Sequence, residues 1–129
     1  MRRKVERLSE RLSKLLALAP SGLPPHEQER DLAAYYLVLA VELCSDLAEH
    51  LIADRGLGAP GTVGEEFDIL ARHGIVTGEL AKQLREAVGL RNVLVHQYTD
   101  VDWKRVDAAL RDLARLERFA AEMLRAGAP

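Results

Sequence analysis

Apolar residues recur at steps of three and four along most of the chain, which is the spacing of amphipathic helices. The first run comprises Val5, Leu8, Leu12, Leu15 and Leu16. It ends where prolines and a glycine follow Ala19, because these residues interrupt helices. A second helix is predicted from about Glu27 to Asp54, and its main apolar stripe is Leu32, Tyr36, Leu39, Leu43, Leu47 and Leu51. Further apolar residues flank this stripe, so the helix is expected to pack against more than one neighbour.

Three more helices are predicted in the second half of the chain. A capping-box pattern at Thr62–Glu65 starts a short third helix, and Thr77 starts a fourth that continues to about Tyr98. Asp102 is expected to cap a last helix with the stripe Val106, Leu110, Leu113, Leu116, Ala120 and Leu124. No segment alternates with the period of a strand. The predicted fold is therefore all-α, a bundle of about five helices in a single domain over residues 1–129.

Composition and charge narrow the class of protein to which the chain can belong. The 129 residues are 48% hydrophobic and 29% charged, as in ordinary globular domains. The net charge of −2 argues against a broad basic surface that coats nucleic acid. Six basic residues fall in the segment 1–25 and ten acidic residues in 26–72, which is typical of solvated helix faces. The single Cys44 excludes a disulfide framework, and no apolar run is long enough for a membrane span, so a cytoplasmic protein is expected.

The segment from Arg91 to Tyr98 concentrates the chemically active side chains. On an ideal helix Asn92 and His96 lie one turn apart, whereas Arg91 and His96 are about 140° apart. These two residues reach one ligand only in a groove, on a distorted helix, or with a second chain. Arginine binds phosphate and histidine exchanges a proton near neutral pH, so the pair suffices in principle for RNA cleavage without a metal. From the pattern alone a structural role is commoner, with Arg91 paired to acids of the second helix and His96 satisfied by Asn92.

The remaining histidines, the cysteine and the glycine-rich segment are interpreted as residues that pack or connect helices. The histidines His26, His50, His73 and His96 lack the helical spacing of metal ligands, so no metal site is predicted. Cys44 lies among apolar residues and is expected to be buried. The glycine-rich segment from Gly56 to Gly64 lacks the ending of a phosphate-binding loop and is interpreted as a connector.

Arg91-Asn92-x-Leu94-Val95-His96-x-Tyr98 resembles the Arg-x4-His-x-Tyr motif of the HEPN superfamily, specifically the HepT-like ribonuclease toxins. The resemblance extends over most of the chain and includes a long acidic second helix. It implies an all-α homodimer in which the two motifs meet in an interface cleft and act as an endoribonuclease that needs no metal or other cofactor. It also implies a minimal nucleotidyltransferase antitoxin as partner and RNA as substrate.

The resemblance assigns roles residue by residue. Arg91 and His96 match the catalytic positions, and Asn92 matches a supporting one. Tyr98 matches the tyrosine to which some antitoxins add AMP. Glu42 and Asp46, one turn apart on the second helix, are candidates for orienting Arg91 or His96 across the cleft.

Two alternatives remain open on the sequence alone. The acidic balance is compatible with a non-catalytic module that binds a nucleotide or a partner in the same cleft. A purely structural dimeric bundle would tolerate replacement of all the motif residues. If RNA binds, the basic residues of the first helix together with Lys104, Arg105, Arg111 and Arg115 of the last are the candidates to rim the cleft.

Overall fold

The computed structural model describes residues 1–127, which form six α-helices and one 3-10 turn, with no strand among them. The helices are α1 Arg2–Leu18, α2 Glu27–Arg55, α3 Val63–Arg72, α4 Gly78–His96, α5 Trp103–Arg111 and α6 Ala114–Gly127. The 3-10 turn, Tyr98–Asp100, lies between α4 and α5. The described residues are 80% helical, so the all-α prediction is confirmed. No helix of the described part is long and apolar enough to cross a membrane.

The predicted number of about five helices is low by one, because the expected last helix is two. At Asp112 the backbone leaves the helical region, with φ −124° and ψ 47°. The break lets α5 pack against α4 while α6 packs against α1, α2 and α4. The sequence has no glycine or proline there, and the apolar spacing from Leu110 to Leu113 continues across the break. The predicted fourth helix is too long, since α4 ends at His96.

Side-chain caps begin three helices where the sequence predicts them. The hydroxyl of Thr62 accepts from the Glu65 N–H at 3.3 Å, and that of Thr77 accepts from the Leu80 N–H at 3.1 Å. The carboxylate of Asp102 accepts from an N–H in the first turn of α5 at 3.0 Å. Each cap satisfies one of the N–H groups that a helix start leaves without a partner.

The second helix is central, as expected, and packs against α1, α3, α4 and α6. Its predicted stripe is partly wrong, since Leu32 is exposed and Tyr36, Leu39 and Leu43 are only half-buried. The buried set of α2 is Ala33, Ala34, Leu37, Ala40, Val41, Cys44, Leu47, Ala48, Leu51 and Ile52. Four of these ten buried residues are alanines, so small side chains make up much of the buried surface of α2. Cys44 is fully buried, and burial raises the pKa of its thiol, as expected of a packing residue.

Two side-chain contacts join segments that lie far apart in the sequence. The rings of Phe67 in α3 and Phe119 in α6 pack edge to face, with centroids 5.4 Å apart. The α1–α2 connection is held to α5, because the Leu23 N–H donates to the carboxylate of Asp107 at 2.7 Å. Gly22 has φ +96°, and a Cβ atom there would lie 2.4 Å from an oxygen of Asp107. Only glycine fits this turn without strain.

Candidate active site

Arg91 is held on α4 by two oxygen atoms. Its Nη1 donates to the side-chain oxygen of Asn92 at 2.8 Å, and its Nη2 donates to Oε1 of Glu42 on α2 at 3.0 Å. The side chains of Arg91 and Glu42 remain 27% and 45% exposed. The predicted contact between Arg91 and Glu42 is therefore present. The guanidinium is fixed in direction yet accessible from outside, as a residue that binds phosphate requires.

Tyr98 lies beyond the end of α4, in the 3-10 turn, and its hydroxyl reaches back to α2. The hydroxyl donates to Oδ1 of Asp31 at 2.6 Å. Partial burial, the hydrogen bond to Asp31 and the negative charges of Asp31 and Glu27 raise the pKa of Tyr98 to about 12. The phenol is therefore protonated at neutral pH. Its side chain is still 47% exposed, so an outside group can approach it.

These two contacts show how α2 lies against α4. Asp31, Tyr35, Val38 and Glu42 follow one another at helical spacing and form a single stripe, called here the outer stripe of α2. Glu42 contacts Arg91 early in the motif, while Asp31 contacts Tyr98 at its end, so the helices run antiparallel. Between the two contacts lies an open cleft of about 420 Å³, lined mainly by apolar side chains including Tyr35 and Val95.

His96 stands apart from Arg91 within one copy of the chain. It is the last residue of α4 and is exposed. Within residues 1–127 no hydrogen bond or ion pair joins His96 to Arg91 or Asn92. The structural alternative is present in one part and absent in the other: Arg91 is paired with Glu42 of α2, whereas within residues 1–127 Asn92 makes its side-chain hydrogen bond to Arg91 and none to His96. A single copy thus leaves the two residues divergent, as the ideal helix predicts.

Asp46 shares a groove with Glu42 but does not touch the motif. In the described part of the chain it makes no hydrogen bond or ion pair to Arg91 or His96. The groove, about 280 Å³ in volume, lies between α1 and α2, and its lining combines Arg7, Arg11 and Lys14 with the carboxylates of Glu10, Glu42 and Asp46. The first helix therefore brings basic side chains into the groove that contains Glu42, the partner of Arg91.

The basic residues of α5 and α6 are differently placed. Arg111 donates to Asp107 at 2.9 Å, and Arg115 is buried beside the backbone of Gln83. Within residues 1–127 no cluster of three or more His, Cys, Asp and Glu side chains is arranged to hold a metal ion.

Sequence reasoning missed Asp31 as the partner of Tyr98. The pair is separated by 67 positions, and only the antiparallel packing of α2 on α4 brings it together. The signal available was the spacing of Asp31 and Glu42, eleven residues apart and so on one side of α2. Sequence reasoning also missed Glu66, a buried carboxyl that accepts from the hydroxyl of Ser45 at 2.8 Å.

Comparison with known proteins finds one matching family model and several similar sequences. The family model described as "Ribonuclease HepT-like" matches residues 5–123. The mRNA nuclease HepT of Shewanella oneidensis is 36% identical over 61 residues, 47% of this chain and 46% of that protein. The tRNA nuclease HepT of Aphanizomenon flos-aquae is 38% identical over 74 residues, 57% of this chain and 50% of that one. The matched region thus spans about half the length of these relatives.

A solved structure shares the fold over nearly the whole chain. It is the tri-AMPylated HEPN toxin of Shewanella oneidensis in complex with its MNT antitoxin. The TM-score is 0.81, with 22% identity, and the match covers 95% of each chain.

Proposed function

Because the chain belongs to the HepT-like ribonuclease family, we propose that it is the toxin of a toxin–antitoxin pair and acts as an endoribonuclease. Both curated relatives described above are nucleases that act on RNA, which supports this activity. The structural observation that carries the proposal is the guanidinium of Arg91, fixed by Asn92 and Glu42 and still accessible. A non-catalytic binding module would keep such a group but would not turn RNA over.

The proposed reaction assigns Arg91 and His96 separate tasks. The imidazole of His96 takes the proton of a ribose 2′-hydroxyl, and the 2′-oxygen attacks the adjacent phosphorus. The bond from phosphorus to the 5′-oxygen breaks, and that oxygen leaves with a proton from an imidazolium or from water. Arg91 stabilises the negative charge that develops on the phosphate, and Asn92 and Glu42 hold its guanidinium in place. In this scheme His96 transfers the proton and Arg91 stabilises the developing charge, and no step uses a metal ion. Cleavage is therefore expected to persist in EDTA.

The divergence of Arg91 and His96 supports a homodimer with composite sites. The cleft between α2 and α4 exposes apolar side chains beside the motif, with Tyr35 at 58% and Val95 at 47% exposure. Apolar patches of this kind mark interaction surfaces. A second copy placed on this face would bring its own His96 towards Arg91 of the first.

Mixed dimers test the composite site directly. Arg91→Ala and His96→Ala chains are each expected to be inactive alone, and mixing them creates dimers with one intact pair of Arg91 and His96. RNA cleavage should then return to a substantial fraction of the wild-type rate. A mixture of Arg91→Ala with an Arg91→Ala, His96→Ala double variant is the control, because it contains no intact pair. No recovery in mixed dimers shown by mass spectrometry to have formed would contradict sharing between copies.

RNA is proposed to pass along the groove between α1 and α2, where Arg7, Arg11 and Lys14 lie close to Glu42. The net charge of −2 confines binding to such a local site. Replacing the three cations with glutamine should weaken RNA binding. The slope of log K against log salt concentration should also become less steep, by about 0.7 for each phosphate that is no longer neutralised. Replacing the exposed Lys104 and Arg105 is the matched control and should change binding little.

The partner is proposed to be a minimal nucleotidyltransferase antitoxin in the same cytoplasm. The related toxin is AMPylated and bound to an MNT antitoxin, and Tyr98 is an accessible hydroxyl at the motif position. Co-expression should add one or more AMP groups to the chain, and Tyr98→Phe should abolish the addition at that site. A chain that stays unmodified and is still neutralised would indicate inhibition by binding alone.

A further inference from the structure

The hydrogen bond between Tyr98 and Asp31 joins the turn after α4 to the first part of α2. Tyr98 lies in the turn after α4, and Asp31 lies near the start of α2 on its outer stripe. The distance of 2.6 Å is typical of a hydroxyl that donates to a carboxylate. Both residues are exposed in a single copy of the chain, so a second protein carrying a nucleotide can reach the hydroxyl there without opening the helices.

A transfer to the oxygen of Tyr98 meets a chemical obstacle. A neutral phenol is a weak nucleophile, and the surroundings of Tyr98 raise its pKa to about 12. The phenolate is therefore scarce near neutral pH, and the proton must leave while the new bond forms. A base is needed within hydrogen-bond distance of that oxygen, and Asp31 is the group that the structure places there.

We propose that Asp31 is the general base for the modification of Tyr98, and that this toxin chain thereby supplies part of the catalytic site for its own inactivation. The carboxylate of Asp31 accepts the phenolic proton as the oxygen of Tyr98 attacks the α-phosphorus of a nucleoside triphosphate. The new bond joins the tyrosine oxygen to that phosphorus, and the bond from the same phosphorus to the bridging oxygen breaks. Pyrophosphate leaves with the electron pair, and Asp31 later releases the proton to solvent. The inference rests on the proposed AMP addition, in which the antitoxin supplies the nucleotide.

Glu27 provides a matched comparison on the same helix. It lies one turn before Asp31 and acts on Tyr98 through its charge, whereas Asp31 also accepts the hydrogen bond. Removing either carboxylate removes one negative charge near the phenol. Only the change at Asp31 removes the group that takes the proton, so the two variants separate base catalysis from general electrostatics.

The experiment measures initial rates of AMP incorporation into the purified chain by its nucleotidyltransferase antitoxin, with ATP. Asp31→Asn should slow incorporation by roughly 10²–10⁴-fold, the usual range for removal of a general base. The affinity of the two proteins should stay within about threefold of the wild-type value, on the scale of one exposed ion pair. Glu27→Gln should stay close to the wild-type rate. An Asp31→Asn chain modified as fast as the wild type would overturn the inference.

A second readout distinguishes a base from a residue that only orients the ring. Difluorotyrosine incorporated at position 98 ionises near neutral pH and needs no base. It should restore most of the lost rate in the Asp31→Asn chain, and failure of this rescue would overturn the role of base. If the wild-type chain acquires no AMP at Tyr98, the proposed modification itself fails. Rapid modification of both the wild type and Asp31→Asn refutes the inference alone.

Discussion

The buried carboxyl group of Glu66 makes the stability of the fold depend on pH. Glu66 is 1% exposed, accepts from Ser45, and faces the carboxyl groups of Glu49 and Asp46. Burial contributes most, and the hydrogen bond shared with Glu49 and the nearby negative charges add to it, so that the pKa rises from 4.5 to about 8. Glu66 is therefore protonated in the folded chain at neutral pH.

The sign of the effect follows from proton binding. Between pH 4.5 and about 8 the folded chain holds a proton on Glu66 that the unfolded chain has released. The folded state is therefore favoured fully below that range, and its advantage is lost as pH rises through it. One such proton changes the free energy of unfolding by about 1.4 kcal/mol per pH unit, or about 3 kcal/mol between pH 5 and pH 7.5.

Urea denaturation of the wild type and Glu66→Gln, at both pH values and one protein concentration, measures this effect. Glutamine keeps the acceptor for Ser45 and does not ionise. The stability of the wild type relative to Glu66→Gln should fall by about 3 kcal/mol on going to the higher pH, because titrating groups away from Glu66 cancel in the difference. An exposed glutamate changed in the same way, Glu117→Gln, should show no such fall. A difference between wild type and Glu66→Gln that is equal at the two pH values would refute the reasoning.

Three further substitutions have defined outcomes. Gly22→Ala should lower the free energy of unfolding by at least about 1 kcal/mol in urea, because φ is +96° and the new Cβ meets Asp107; an unchanged midpoint would contradict this. Glu42→Gln should cost less than about 1 kcal/mol of stability, because the ion pair is half-exposed, and should reduce RNA cleavage about tenfold through a loosened Arg91. Unchanged cleavage would argue against orientation by Glu42. Phe119→Ala should destabilise by about 3–5 kcal/mol in thermal or urea unfolding, and a loss below about 1 kcal/mol would show that the site collapses around the missing ring.

Local chemistry explains which parts of the fold are predictable. The caps at Thr62, Thr77 and Asp102 depend on residues two or three positions away, so the sequence reveals them. The break at Asp112 carries no local signal, because it results from α5 and α6 packing on different helices. The predicted stripe of α2 is partly wrong because the buried side of the helix includes small residues such as Ala40, while the larger Leu32 is exposed.

The candidate site also contains residues that the sequence predicts and residues that it does not. The motif concentrates its active side chains within eight residues, so the sequence indicates Arg91, His96 and Tyr98 as a group. The predicted contact of Glu42 with the motif is present, at Arg91. Asp31 escapes prediction, because its contact with Tyr98 depends on the register between α2 and α4, which helical periodicity leaves undetermined. The roles of these residues in cleavage and modification remain predictions.

RNA cleavage in the presence of EDTA by the purified chain is the most direct test of the central claim. The wild type should cut RNA, and His96→Ala should lose at least about 10²-fold in rate, because the general base is removed. The change His50→Ala, at an exposed histidine elsewhere on α2, should leave the rate unchanged. A wild-type chain that cuts no RNA, or a His96→Ala chain that cuts as fast as the wild type, would contradict the claim.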